Sequence, residues 1–121
     1  MTPTLVDASV WIDHLRRDNE RLASLLMEGL VWIHPFVIGE LACGNLQDRA
    51  NRLAWLSALP HAIGATHDEA KHLLETYELH GSGIGWVDVN LLTSARLSQI
   101  DIWTMDEALA SAAEIVEVLS D

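Results

Sequence analysis

One cysteine, one lysine, one phenylalanine and one tyrosine occur among 121 residues. A lone Cys43 cannot form an internal disulfide, which suits a reducing cytoplasm. It also has no partner thiol, and His67 and His72 stand five apart rather than four, so the six histidines carry no zinc pattern. Cations are scarce as well. Seven Lys and Arg against 18 acids leave a formal net charge of -11. That balance argues against a tight non-specific grip on nucleic acid, which needs many Lys and Arg contacts to phosphate; nucleic-acid chemistry would need metal ions and a local basic patch, and the acidic surface suits a basic protein partner. No apolar run approaches the ~20 residues that span a bilayer, so no membrane association is expected. The first seven residues lack a basic segment and a long apolar one, so no signal peptide is expected and the location read is cytoplasmic. Gly81-Ser82-Gly83-Ile84-Gly85 fits neither G-x-G-x-x-G nor a P-loop, and reads as a flexible turn before a helix. Linkers, repeats and low-complexity tracts are missing too.

What is present is a chain half of whose residues are hydrophobic, enough to exclude disorder. Residues 1–121 are expected to form a single domain with a real core. Five tryptophans supply most of the aromatic area, chiefly for core filling. Apolar periodicity alternates strand and helix. Residues 3–7 read as a strand and Val10 to Leu15 as a helix. A second helix runs from about Asn19 to Glu28, closed by Gly29, and 30–33 is a second strand. Pro35 opens a helix that Gly44 ends. Leu46, Ala50 and Leu53 mark another, stopped near Pro60. His61 to Ile63 is a candidate third strand. Helices are expected over 67–79 and 87–97, a strand over 100–104, a helix from Asp106, and a last strand near 115–119. Strands separated by helices imply an α/β fold with a parallel sheet covered on both faces.

Four acids interrupt apolar stretches: Asp7 in Leu5-Val6-Asp7, Glu40 in Ile38-Gly39-Glu40-Leu41, Asp88 in Gly85-Trp86-Val87-Asp88, and Asp106 in Ile102-Trp103-Thr104-Met105-Asp106. A charge in such a setting is costly unless paired or bound to a metal. Simpler roles compete for three of them. Asp7 could cap a helix in place of Ser9, Asp88 could face a helix dipole, and Thr104 with Glu107 fits a capping box. Glu40, inside its helix with Gly44 four residues on, has no such account. Sites in parallel sheets form beyond the carboxyl ends of the strands. If the strands before Asp7 and Asp106 are neighbours, the four acids can converge there. Four carboxylates ~5 Å apart would repel by ~3 kcal/mol per pair at an effective dielectric near 20. They would then share protons or hold cations, and an oxygen-only set suits Mg²⁺ or Mn²⁺. Such ions polarise phosphoryl oxygens and activate water, which points to phosphodiester hydrolysis.

At these residues the chain resembles the PIN-domain ribonucleases, and closely the VapC-type toxins of toxin–antitoxin pairs. The matching segments are residues 5–13, 38–41, 83–88 with Leu91-Leu92, and 102–106, in order and at family spacing. The resemblance implies a three-layer α/β/α PIN-like domain with a central parallel sheet. It implies a Mg²⁺ site held by Asp7, Glu40, Asp88 and Asp106, with Ser9 and Thr104 as neighbouring hydroxyls. It further implies endonucleolytic cleavage of RNA (tRNA or ribosomal RNA), a homodimer, and a VapB-type antitoxin that silences the site. Two positions depart from the pattern. Glu107 stands where relatives commonly carry Lys or Arg, and Ser82 near where they often carry Arg. Arg16, Arg17 and Arg21 are the candidate phosphate contacts that remain. An Asp-nucleophile phosphatase would want a second Asp where Ser9 stands, and a receiver domain a lysine after a late strand, whereas Lys71 is mid-chain. The rivals are another metal-dependent phosphohydrolase and a PIN-like binding module without cleavage.

Overall fold

The computed structural model describes residues 2–121, and Met1 lies outside the described residues. Its centre is Thr4–Val6, strand β1, fully buried and paired on both sides. Val31–Trp32 (β2) and Asp101–Trp103 (β3) flank it in parallel, giving the order β2-β1-β3. The register sets Thr4 against both Val31 and Asp101, and Val6 against Trp103. The strands expected to carry Asp7 and Asp106 are therefore neighbours, and all three point their carboxyl ends the same way.

Among the described residues, seven helices cover this sheet. They are α1 (Ala8–Arg17), α2 (Glu20–Met27), α3 (Pro35–Ala42), α4 (Arg49–Ser57), α5 (His67–Thr76), α6 (Trp86–Ser98) and α7 (Glu107–Ile115). α3 packs on α1 and α4, α5 packs on α6, and α6 packs on β3, which produces the three-layer arrangement expected. Their starts follow the sequence closely. Asn19 caps α2 by accepting from Leu22 N at 3.0 Å, Pro35 occupies the first turn of α3, and Thr66 with Glu69 completes a capping box on α5. Gly29, at φ 71°, follows α2 in the left-handed region that glycine enters without strain.

Several expectations need correction. The strand at 61–63 reduces to one parallel bridge, Ile33 to His61, and that near 115–119 to one bridge, Ile102 to Leu119. Ile115 instead closes α7. Both segments do extend the sheet edges, but each meets its neighbour at a single residue pair. Leu46 precedes its helix rather than joining it. Asp48 takes a left-handed conformation (φ 50°), so α4 begins only at Arg49. Thr104 does not cap the last helix; Asp106 does, accepting from Leu109 N at 2.9 Å. Cys43, set in an apolar sequence, is exposed at the end of α3. The tryptophans divide: Trp11 and Trp103 fill the core, whereas Trp55 and Trp86 are 50% and 41% exposed.

Candidate active site

Asp7 leaves β1 at its carboxyl end and is itself the N-cap of α1. It is buried, yet its carboxylate meets no Lys or Arg within ion-pair distance. The ion pair present among the described residues is Arg17 with Asp13. Hydroxyls take the place of a counter-charge. Ser9 Oγ and Thr104 Oγ1 each donate to Asp7 Oδ2 at 2.8 Å, and the Ser9 amide approaches the same oxygen at 3.4 Å. The two hydroxyls lie 3.3 Å apart. They are held in turn by the strand–helix turn after β3: Met105 N donates to Ser9 Oγ at 2.9 Å and Asp106 N to Thr104 Oγ1 at 3.0 Å. One network thus ties the ends of β1 and β3 together and fixes which way Asp7 faces. Capping and site geometry, posed as rivals in the sequence, coexist in this residue.

The other two aspartates are built alike. Asp106 Oδ2 caps α7, and Asp88 Oδ2 accepts from Gly85 N at 3.2 Å at the start of α6. In all three aspartates Oδ2 is spent on the fold, while Oδ1 carries no hydrogen bond among the described residues. Each also sits at a helix N-terminus, where the macrodipole favours negative charge. Glu40 differs. It projects from the exposed face of α3 with no hydrogen bond among the described residues. The position of α3 is set by His34, whose Nδ1 accepts from Phe36 N at 3.0 Å; burial, then the neighbouring His61, lower its pKa and keep it a neutral acceptor.

The four acids sense one another. Partial burial raises the pKa of Glu40, and the charges of Asp7 and then Asp88 raise it further. Burial also raises that of Asp88; the Gly85 amide opposes this, and Asp7 and Asp106 add to it. Such mutual repulsion without a basic partner is the environment that a divalent cation relieves. The donors are all carboxylate oxygens, the chemistry hard cations prefer. Yet the side chains do not close into a ready cage: among the described residues, no three His, Cys, Asp or Glu side chains are grouped closely enough to hold one ion.

The arginines fare unequally. Arg16 lines a cavity of about 360 Å³ that also contains Glu40. Arg17 donates to Asp13 Oδ1 at 2.6 Å, one helical turn back. Asp13 is held below the usual carboxylate range by Asn19 and then Arg17. Arg21 belongs to α2, not α1; its guanidinium lies 4.2 Å from the centre of the Trp103 ring and donates to Ser120 Oγ at 3.0 Å. Its cation is engaged in these two contacts, although Arg21 remains exposed. Arg52 had not been singled out, but it lines the same cavity as Glu40. The signal available was the short Cys43–Asp48 connection, which makes α3 and α4 neighbours.

With this geometry in place, comparisons with known proteins point one way. The PIN domain family model matches residues 4–115. Ribonuclease VapC32 of Mycobacterium tuberculosis, from strain H37Rv and from strain CDC 1551 / Oshkosh, is 43% identical over 109 residues, which cover 89% of this chain and 88% of the relative. In fold, the crystal structure of PAE2754 from Pyrobaculum aerophilum superposes with a TM-score of 0.65 at 18% identity, covering 92% of this chain and 84% of that one.

Proposed function

The chain belongs to the PIN-domain family, and from that premise we propose that it is an endoribonuclease of the VapC type, dependent on Mg²⁺ or Mn²⁺ and acting as the toxin of a toxin–antitoxin pair. The observation that carries this reading is the buried, counterion-free Asp7, bridged by Ser9 and Thr104 to the turn that starts at Asp106. Asp7 serves the fold as a helix cap, but a buried carboxylate without a cation at the meeting point of two central strands is costly, and a bound ion would offset that cost. The 43% identical relative is a ribonuclease by name, which supports RNA as the substrate.

Asp7, Asp88 and Asp106 would hold the ion through the carboxylate oxygens that the fold leaves free, with Glu40 opposite them on α3. When bound, such an ion polarises a phosphoryl oxygen and offsets charge on the leaving 3′-oxygen. The hydroxyls of Ser9 and Thr104 keep Asp7 in one rotamer, so its free oxygen needs no reorganisation. Glu40 has a raised affinity for protons and no hydrogen bond to break, so its carboxylate can take a proton from an attacking water. Hydrolysis then adds water across the P–O3′ bond, leaving a 5′-phosphate and a 3′-hydroxyl. The net charge of -11 leaves an acidic surface to which a basic tail of a VapB-type antitoxin is complementary. A homodimer completes the reading, and the molar mass by light scattering tests it.

The decisive experiment maps RNA 5′ ends after brief induction of the wild-type chain and of Asp7→Asn. New ends in the wild type alone support the proposal. Identical ends in both, or RNA bound without any cut, would replace it with the non-cleaving module. Calorimetry with Mg²⁺ and Mn²⁺ on the same two proteins tests the ion separately, since unchanged affinity in Asp7→Asn removes that residue from the site.

A further inference from the structure

Six arginines and one lysine must serve a chain of net charge -11. Most are already committed. Arg17 pairs with Asp13, and Arg21 stacks on Trp103. Arg49 donates to the carbonyls of Gly44, at 3.1 Å, and Ala42. Arg96 donates to Val116 O at 3.2 Å and faces the Tyr77 ring. Lys71 stands on α5, which packs on α6 rather than on α1, α3 or α4. Arg16 and Arg52 are left, with neither an ion pair nor a hydrogen bond among the described residues. Both line the cavity of about 360 Å³ between α1 and α3 that contains Glu40.

That cavity continues into a second one. A neighbouring cavity of about 270 Å³ shares Leu15, Leu46 and Arg52 with the first, and its far wall is Trp55. Trp55 is half exposed, and its indole is braced edge-on by buried Trp11, with ring centres 6.1 Å apart. Along one groove the chain therefore presents Glu40, then Arg16 and Arg52, then a rigid aromatic ring.

The geometry points to this groove as the track for single-stranded RNA leading away from the cleavage centre, an inference that rests on the ribonuclease reading. Arg16 and Arg52 neutralise phosphates, and Trp55 stacks a base. Charge complementarity argues for the occupant: Glu40 and Asp18 share these walls, yet neither guanidinium is ion-paired among the described residues, so both are open to the phosphates of a polyanion. A backbone-tracking cation groove ending on an aromatic platform is how single strands are gripped independently of sequence. The arrangement also accounts for the departures at Glu107 and Ser82, because the cations missing there are supplied from α1 and α4.

The test uses the full chain carrying Asp106→Asn to keep RNA uncut, a fluorescent single-stranded oligonucleotide, Mg²⁺ and a salt titration. Each single-strand phosphate contact contributes about 0.7 to the slope of log affinity against log salt. Arg16→Gln with Arg52→Gln is expected to flatten that slope by ~1.4, while Lys71→Gln leaves it unchanged. Trp55→Leu, which keeps apolar volume against Trp11, is expected to weaken binding about 5- to 150-fold at an unchanged slope. An unchanged slope in the double variant, with normal binding by its parent, overturns the groove but leaves the ribonuclease reading standing. A parent that binds no RNA overturns both. If the double variant keeps its RNA slope but loses a co-purifying protein, the groove belongs to that partner and the inference fails.

Discussion

Asp7 and Glu40 represent opposite ways of presenting a carboxylate. Asp7 is buried at the end of the central strand, caps α1 and accepts two hydroxyl hydrogen bonds. Glu40 projects from a helix face and touches no donor, and its charge is disfavoured by partial burial first and by Asp7 and Asp88 second. The first acid is part of what holds β1, α1 and the turn after β3 together. The second contributes nothing to the fold that another polar residue could not. One acid cannot be altered without disturbing structure; the other isolates chemistry from stability.

The largest expected effects separate these two roles. Glu40→Gln removes a charge that the folded state resists, so cleavage is expected to fall by more than the ~100-fold typical of losing an outer-shell partner of a metal site. Its thermal midpoint without metal is expected to stay level or rise. Asp7→Ala should lose cleavage to a similar degree and, in addition, ~2–3 kcal/mol of stability, because a helix cap disappears and two hydroxyls lose their acceptor. Urea unfolding with parallel RNA-cleavage assays reads both. Equal destabilisation by the two substitutions would erase the contrast.

Thr104→Val sharpens the contrast from the other side, since it leaves all four acids in place. It deletes the donor to Asp7 Oδ2 and the acceptor for Asp106 N. The expected cost is ~1–2 kcal/mol of stability and ~10- to 100-fold in ion affinity or cleavage rate. Thr104→Ser, which keeps the hydroxyl, should restore most of both. Failure of serine to rescue would mean that the methyl group, not the hydrogen bond, is what matters.

Much of this was legible in the sequence because the signals were local. A charged residue ending an apolar strand marks where the strand stops and the helix starts, as Asp7 does. Pro35, Asn19 and Gly29 punctuate helices by their own backbone preferences. The misreadings concern relations that local pattern does not encode. Whether His61 or Leu119 forms a strand or one bridge depends on how far a two- or three-residue neighbour extends. Thr104 looked like a helix cap because the spacing to Glu107 is right; the hydroxyl was instead taken by Asp7, 97 residues away in the chain. The stacking of Arg21 on Trp103 joins residues from opposite ends of the chain, which no local pattern announces. The mutual approach of the acids was inferred from strand order, but whether three of them group closely enough to hold one ion depends on side-chain placement, to which a sequence gives no access.

The smallest expected effect concerns pH, and its sign depends on whether an ion is bound. Glu40 and Asp88 both have pKa values raised above those of ordinary carboxylates, by burial first and by neighbouring acids second. In metal-free protein the native state therefore keeps these protons at a pH where the unfolded chain has lost them. Their stabilising contribution is complete below the unfolded carboxylate pKa and is lost as pH rises through the raised values. Differential scanning calorimetry in a chelator should thus show a small stability decrease on that rise, and Glu40→Gln should flatten part of it. Saturating Mg²⁺ reverses the trend: the ion binds the deprotonated carboxylates and competes with the protons, so the stability it adds grows with pH over the same window. A stabilisation by Mg²⁺ that is the same at the acid and neutral ends would mean that Glu40 and Asp88 do not share the ion, leaving Asp7 and Asp106 to hold it.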